Sequence, residues 1–215
     1  MLIFASTSAL ADYNFNFDGV ASGTSANNAL VNPYSDVQFL SAFLTADLDA
    51  QGFEIVDINT NQLIPGFTHF EAYANSDIRV RDPQFYNHGV APSGVNAIDA
   101  KFDELYIKFA TEQNLTSFSA QLDNSQYGIY NANFIFVNAA GKTIDSITFN
   151  SYDNPGAIIT KDFTRGVGGI ILSKGKLYDN ITIATVAAVP EPQSYALILM
   201  GLSLFGLLSK KSKNK

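Results

Sequence analysis

The sequence predicts an all-β fold: an antiparallel β-sandwich, jelly-roll-like, followed by one C-terminal transmembrane helix. Three observations carry this. Charged residues make up only 15% of the 215, against roughly 25% in ordinary globular domains. Asn, Ser, Thr and Gly are plentiful, whereas helical surfaces would need more Glu, Lys and Arg. Short strand-like runs recur with turn residues between them, at a spacing of roughly 8–12 residues, and no stretch holds a 3.6-residue period except the tail.

The elements follow in order. Residues 12–18, DYNFNFD, alternate strictly: Tyr13, Phe15 and Phe17 share one face, and Asp12, Asn14, Asn16 and Asp18 the other. That is the pattern of a half-buried strand. Residues 19–32 are small and polar and read as a loop. Residues 37–44 are apolar and fit either a strand or a helix. Residues 53–58, FEIVDI, predict a strand, and 59–62 its turn. Residues 68–74 alternate again, and 78–80 form a short strand. The stretch 82–96 carries two Pro and two Gly among its aromatics and reads as a long loop. Three successive strands are expected at 97–102, 105–110 and 115–122. Strands at 129–137 and 143–149 are joined by NAAGK, a hairpin turn with Gly141 placed for positive φ. Strands at 157–163, 169–172 and 180–186 complete the set.

Both ends of the chain read as addresses. The start, MLIFASTSALA, pairs an apolar run with a small-x-small site at Ala9-Leu10-Ala11. It lacks the basic residues of a full signal peptide, so 1–11 is read as a truncated remnant of one; a buried first strand is the alternative. Near the other end, residues 195–208 form an apolar run of 14 with no charge. A membrane span needs about 20, but Lys210, Lys211, Lys213 and Lys215 follow at once and can snorkel. Basic flanks stay cytoplasmic, which puts the body on the far side of the membrane.

Val189-Pro190-Glu191-Pro192, the apolar segment and the lysine tail together resemble the PEP-CTERM sorting signal. The chain then divides into the remnant 1–11, an ectodomain 12–188 and a sorting signal 189–215, with motif 189–192, helix 194–208 and basic tail 209–215. The resemblance implies recognition by an exosortase, a membrane-embedded protease, with cleavage near the Pro-Glu-Pro. It also implies an exopolysaccharide-producing cell of Gram-negative or cyanobacterial type. Pro190 and Pro192 fix φ and keep the motif extended and open to a protease. The opening "NFD" strand, the FIFVNAAGKTIDSITF hairpin and the closing YDNITI strand resemble ectodomains of such proteins.

Composition excludes several chemistries. There is no Cys, which removes disulfides, thiolate metal sites and cysteine nucleophiles. From residue 12 to 189 there are 19 acidic and 9 basic residues, a net charge of −10. Such a body does not bind nucleic acid, because phosphate contacts need clustered Lys and Arg. His69 and His88 are the two histidines, and no HExxH, GxSxG or phosphate loop accompanies them. A carboxylate pair for glycoside cleavage is open on composition, though nothing singles one out. Asp103 and Glu104 are adjacent and face opposite sides of a strand.

Calcium is the metal that this Asp- and Asn-rich body would suit. Asp57, Asn59 and Asn61 have the first spacings of a calcium loop. Gln62 and Thr68 stand where that loop needs Gly and Glu, so 57–62 reads as a hairpin turn. Similarity to carbohydrate-binding jelly rolls points instead to Asp18 and Asp179, an early acid and an Asp at the start of the last strand; two turn-capping aspartates are the alternative. Phe85, Tyr86, Asn87 and His88 mix aromatics with polar groups in the 82–96 loop, as a sugar site does. Tyr127 and Tyr130 with Asn124 offer a similar mix. The expectation is an exported protein, transiently anchored in the membrane and then placed at the cell surface or in the matrix. Its role is structural or adhesive, with exopolysaccharide as a glycan partner. The alternative is a secreted carbohydrate-active hydrolase.

Overall fold

The computed structural model describes residues 10–74, 76–82, 94, 96–100, 103–122, 131–150, 158–161 and 166–186. Residues 10–186 form one compact unit. Eleven strands and no helix lie among the described residues: β1 (Leu10–Phe15), β2 (Val37–Ala46), β3 (Thr68–Ala72), β4 (Val80–Arg81), β5 (Ala97–Ala100), β6 (Glu104–Leu122), β7 (Asn131–Val137), β8 (Thr143–Asn150), β9 (Ile158–Lys161), β10 (Val167–Leu172) and β11 (Lys176–Val186). The all-β expectation holds over this span, and every strand pair is antiparallel.

Two layers share β6. In one, β11 has β1 and β5 along one edge and the C-terminal half of β6 along the other, with β9 beyond it and β4 beyond β5. In the other, the order is β3, β2, the N-terminal half of β6, β10, β7, β8. The first and last strands lie side by side: Leu10 pairs with Val186 and Phe15 with Ile181. β1 thus begins at Leu10, two residues before the expected start.

The sequence reading divides β6 into two strands, but it is one strand of 19 residues. Its side chains explain both views. Leu105, Ile107 and Phe109 are buried at odd positions, and Phe118, Ala120 and Leu122 at even ones. The switch falls at Thr116. There Leu115 pairs with Thr185 and Ser117 with Ala184, so β6 carries one unmatched residue. A single-residue bulge flips which face points inward. Nothing at 110–115 breaks the chain, so the strand runs on from one layer into the other.

The core lies between the layers. Phe118 on β6 meets Phe134 and Phe136 on β7, with ring centroids 5.4 and 5.8 Å apart. Phe15 on β1 meets Phe39 on β2 edge-to-face at 4.9 Å, and Phe134 meets Tyr178 on β11 at 6.0 Å. These rings, with Ile98, Ile107, Leu115, Ile170, Ile181 and Ile183, are buried in one cluster. A second, smaller cluster joins Ala42, Phe70, Tyr106, Val137 and Ile171. Tyr106, Ala42 and Ile171 sit one residue out of phase with the core-facing Ile107, Phe39 and Ile170, so this cluster covers the outer face of the second layer. Burial pushes the Tyr106 phenol above its ordinary value.

Other differences have local causes. Residues 37–44, ambiguous in sequence, belong to β2 because Phe39 and Val37 face the core and the strand pairs on both edges. The expected strand at 53–58 is absent. The β2–β3 connection makes only the single bridges Leu48–Glu54 and Val56–Leu63. Strand-prone residues alone do not make a strand without a face to bury against, and Phe53 and Ile58 are 72% and 95% exposed. The turn at 59–62 does form. Asp57 Oδ1 accepts the N–H groups of Asn59 at 2.8 Å and Thr60 at 3.0 Å, and Asn61 takes φ 54°. Those backbone bonds hold the Asp57 carboxyl below its usual range. The β7–β8 hairpin is as expected, with Gly141 at φ 74°.

Candidate functional site

Asp18 and Asp179, far apart in sequence, come to the same end of the fold. Asp179 is fully buried on β11. Its Oδ1 accepts the N–H of Asn180 at 2.7 Å and that of Phe17 at 3.4 Å. Asn180 has φ 44° and sits in a bulge, since Asp179 pairs with Gln121 but Thr182 with Ser119. Its Nδ2 donates to Gln121 Oε1 at 2.7 Å, and its Oδ1 accepts from Asn16 Nδ2 at 2.9 Å. Asp18 turns toward another segment, where its Oδ1 accepts the Asn96 N–H at 3.3 Å. Among the described residues, no three acidic or histidine side chains converge as metal ligands. A calcium here would therefore draw on two carboxylates already engaged with amide N–H groups, together with amide or backbone oxygens.

His69, on β3, lies in a cluster that sequence reasoning did not foresee. Its Nδ1 is 2.9 Å from Asp47 Oδ1 and its Nε2 is 3.0 Å from Glu71 Oε1. Lys142, in the β7–β8 turn, donates to Asp47 Oδ2. That hydrogen bond, with the His69 contact, holds the Asp47 carboxyl below its ordinary value. Both contacts of the ring are hydrogen bonds only when both nitrogens carry protons; the neutral ring serves one of them. Each ring nitrogen lies against a carboxylate oxygen of the protein itself. The cluster pins the β2–β3 connection to the hairpin turn.

A third place is a pocket. Tyr73 follows β3 directly, and its N–H donates to Ser41 O on β2 at 2.9 Å. The chain then turns, with the Ser76 N–H donating to Tyr73 O at 3.3 Å. On the other edge of β2, Ser41 pairs with Leu105 and Ala42 with Glu104, so Asp103 stands just before β6 begins. Ser41, Tyr73, Ala74, Ser76 and Asp103 line a shallow pocket, open to solvent, of about 390 Å³. The Tyr73 ring packs on Phe43, centroids 4.7 Å apart, and is 43% exposed. Ser76 Oγ is buried, with no hydrogen-bond partner among the described residues. Next to the pocket, burial pushes the Glu104 carboxyl above its ordinary value, against the pull of the Lys174 N–H that it accepts at 2.8 Å.

Phe85, Tyr86, Asn87 and His88 lie outside the described residues, as do Asn124, Tyr127 and Tyr130. So do Val189, Pro190, Glu191, Pro192, the segment 194–208 and Lys210, Lys211, Lys213 and Lys215. No signal in the sequence joins Ser41, the Tyr73–Ser76 turn and Asp103, because they lie on three separate segments of the chain. For the His69 cluster the only hint is the alternation that puts His69 and Glu71 on one face of β3.

Residues 188–212 match the PEP-CTERM protein-sorting motif, so the chain carries that motif at its C-terminal end. No curated protein matches the sequence. Among solved structures, a family 29 carbohydrate-binding module aligns at 10% identity and TM-score 0.35, over 86% of this chain and 99% of the other. A module of the same family complexed with mannohexaose gives 10% identity and TM-score 0.34, over 85% and 99%. The lectin-binding domain of lectinolysin, complexed with Lewis b, gives 12% and 0.33, over 48% and 75%. Likenesses this loose carry no residue role across.

Proposed function

We propose that this chain is an exported protein, sorted by an exosortase through its C-terminal signal, whose β-sandwich then serves as a structural or adhesive, glycan-binding element at the cell surface or in the matrix. The observation that carries the reading is the sorting motif at 188–212. Its parts stand in the order that sorting needs: the Pro190-Glu191-Pro192 site, where proline disfavours helix, then an apolar segment at 194–208 to hold the chain in the membrane, then lysines to stop it. The compact unit ends at Val186, just before the motif, so cutting there would leave the sandwich whole. The strand orders β1-β11-β6-β9 and β6-β10-β7-β8 fit a jelly roll in which two successive strands have fused into β6 and β2–β5 are inserted.

The acidic, Asn-rich body is a surface for hydroxyl-bearing polymers and not for nucleic acid. Calcium at Asp18 and Asp179 is a subsidiary part of this reading; a chelator should then lower the melting temperature, and Asp18→Asn should abolish that effect. The hydrolase alternative gains nothing from Glu104, whose Oε2 is held by the Lys174 N–H.

The test is the intact mass of the protein recovered from the surface of its producing cells. The expected mass lacks everything beyond the Pro-Glu-Pro region, and Glu191→Ala should leave the full tail in the membrane fraction. A surface protein still ending in Lys215 would overturn the sorting reading.

A further inference from the structure

We infer that the pocket lined by Ser41, Tyr73, Ser76 and Asp103 is a binding subsite for a neutral glycan. This rests on the glycan-binding part of the function proposed above and gives it a place and a ligand class.

Three observations converge. The pocket is open along one side, as a subsite for part of a long chain is, and its volume of about 390 Å³ falls within the roughly 300–1,000 Å³ of small-molecule sites. Tyr73 presents a half-exposed ring that packs on Phe43, with ring centroids 4.7 Å apart. A pyranose lays its C–H face on such a platform, and a ring already held loses little freedom on binding. Asp103 is exposed at the rim, an acceptor for a pair of vicinal hydroxyls.

Charge selects among sugars. The described lining holds Asp103 and no cation, and the ectodomain carries 19 acidic against 9 basic residues. A uronic-acid or sulfated polymer would meet repulsion both in the pocket and on approach. A neutral hexose chain meets neither and gains the hydroxyl contacts.

The experiment is isothermal titration of the full chain, in detergent, with neutral gluco-, manno- and galactohexaoses and with an oligogalacturonate. Binding of at least one neutral hexaose is expected, with the oligogalacturonate weaker. Tyr73→Ala and Asp103→Asn should each weaken that binding about tenfold, equivalent to about 1.4 kcal/mol. Tyr73→Phe keeps the platform and should stay within about twofold. Unchanged urea midpoints show that the variants are folded. If a neutral hexaose binds the parent and both weakened variants equally, the pocket is overturned while glycan binding stands. If no oligosaccharide binds the parent, the glycan reading falls and the pocket with it. Tighter binding of oligogalacturonate would overturn the neutral class.

Discussion

Replacing Gly141 by Ala should cost far more than the same change at Gly52, and the difference is set by one carbonyl. Both glycines have left-handed backbones, φ +74° and +88°. A Cβ at Gly52 meets nothing within 4 Å, whereas at Gly141 it would lie 2.2 Å from the Phe70 carbonyl oxygen. An ordinary 3.4 Å contact would need a shift of 1.2 Å. β3 cannot give way easily, since Phe70 is paired to Leu44 and its N–H donates to Gly141 O at 2.9 Å. A left-handed alanine costs about 1–2 kcal/mol, offset by about 0.4–1 kcal/mol from a stiffer unfolded chain. Gly52→Ala should therefore lose about 0.5–1 kcal/mol. Gly141→Ala adds an overpacking cost of about 1–3 kcal/mol, for a total of roughly 2–4 kcal/mol. Urea unfolding followed by circular dichroism measures both. Losses that agree within about 0.5 kcal/mol would refute the claim that the turn docks tightly on β3.

Phe118→Ala opens a hole between the layers and should lose about 3–5 kcal/mol, read as a lower urea midpoint. Glu104→Gln should raise the melting temperature at pH 7. A folded-state pKa above the unfolded one makes stability fall as pH rises through that interval, so the gain should vanish below the ordinary carboxylate range, about pH 4. Asp47 has the opposite sign. Its depressed pKa contributes stability that is present above the unfolded value of 3.8 and lost as pH falls through the lower, folded value. Asp47→Asn should flatten that part of an acid-unfolding curve, and a second break, between the β2–β3 connection and the hairpin turn, should show as faster amide exchange near Lys142.

Local pattern was enough where one segment decides its own fate. Tyr13, Phe15 and Phe17 alternate and lie in the core. Asn138 to Lys142 turn where Gly141 permits positive φ. The shift of burial in β6 from Leu105, Ile107 and Phe109 to Phe118, Ala120 and Leu122 is also written in the sequence, but as a change of phase that reads equally well as a break. FEIVDI at 53–58 failed because strand-prone residues say what could be buried and not whether another layer is there to bury it. The pocket was hidden for a related reason. Ser41, Tyr73 and Asp103 meet because β3 ends and β6 begins on opposite edges of the same stretch of β2, and register across strands is a long-range property.

The sequence by itself determined the all-β class, the absence of thiol chemistry and the sorting motif. These rest on composition, on period-two alternation and on one contiguous C-terminal string. Only the tertiary structure decided that one strand serves both layers, that His69 sits between Asp47 and Glu71, and that Tyr73 and Asp103 line one pocket. Each of these depends on which strands pair and in what register. That choice is made by the burial of aromatic rings between the layers, through contacts among residues that no local pattern links.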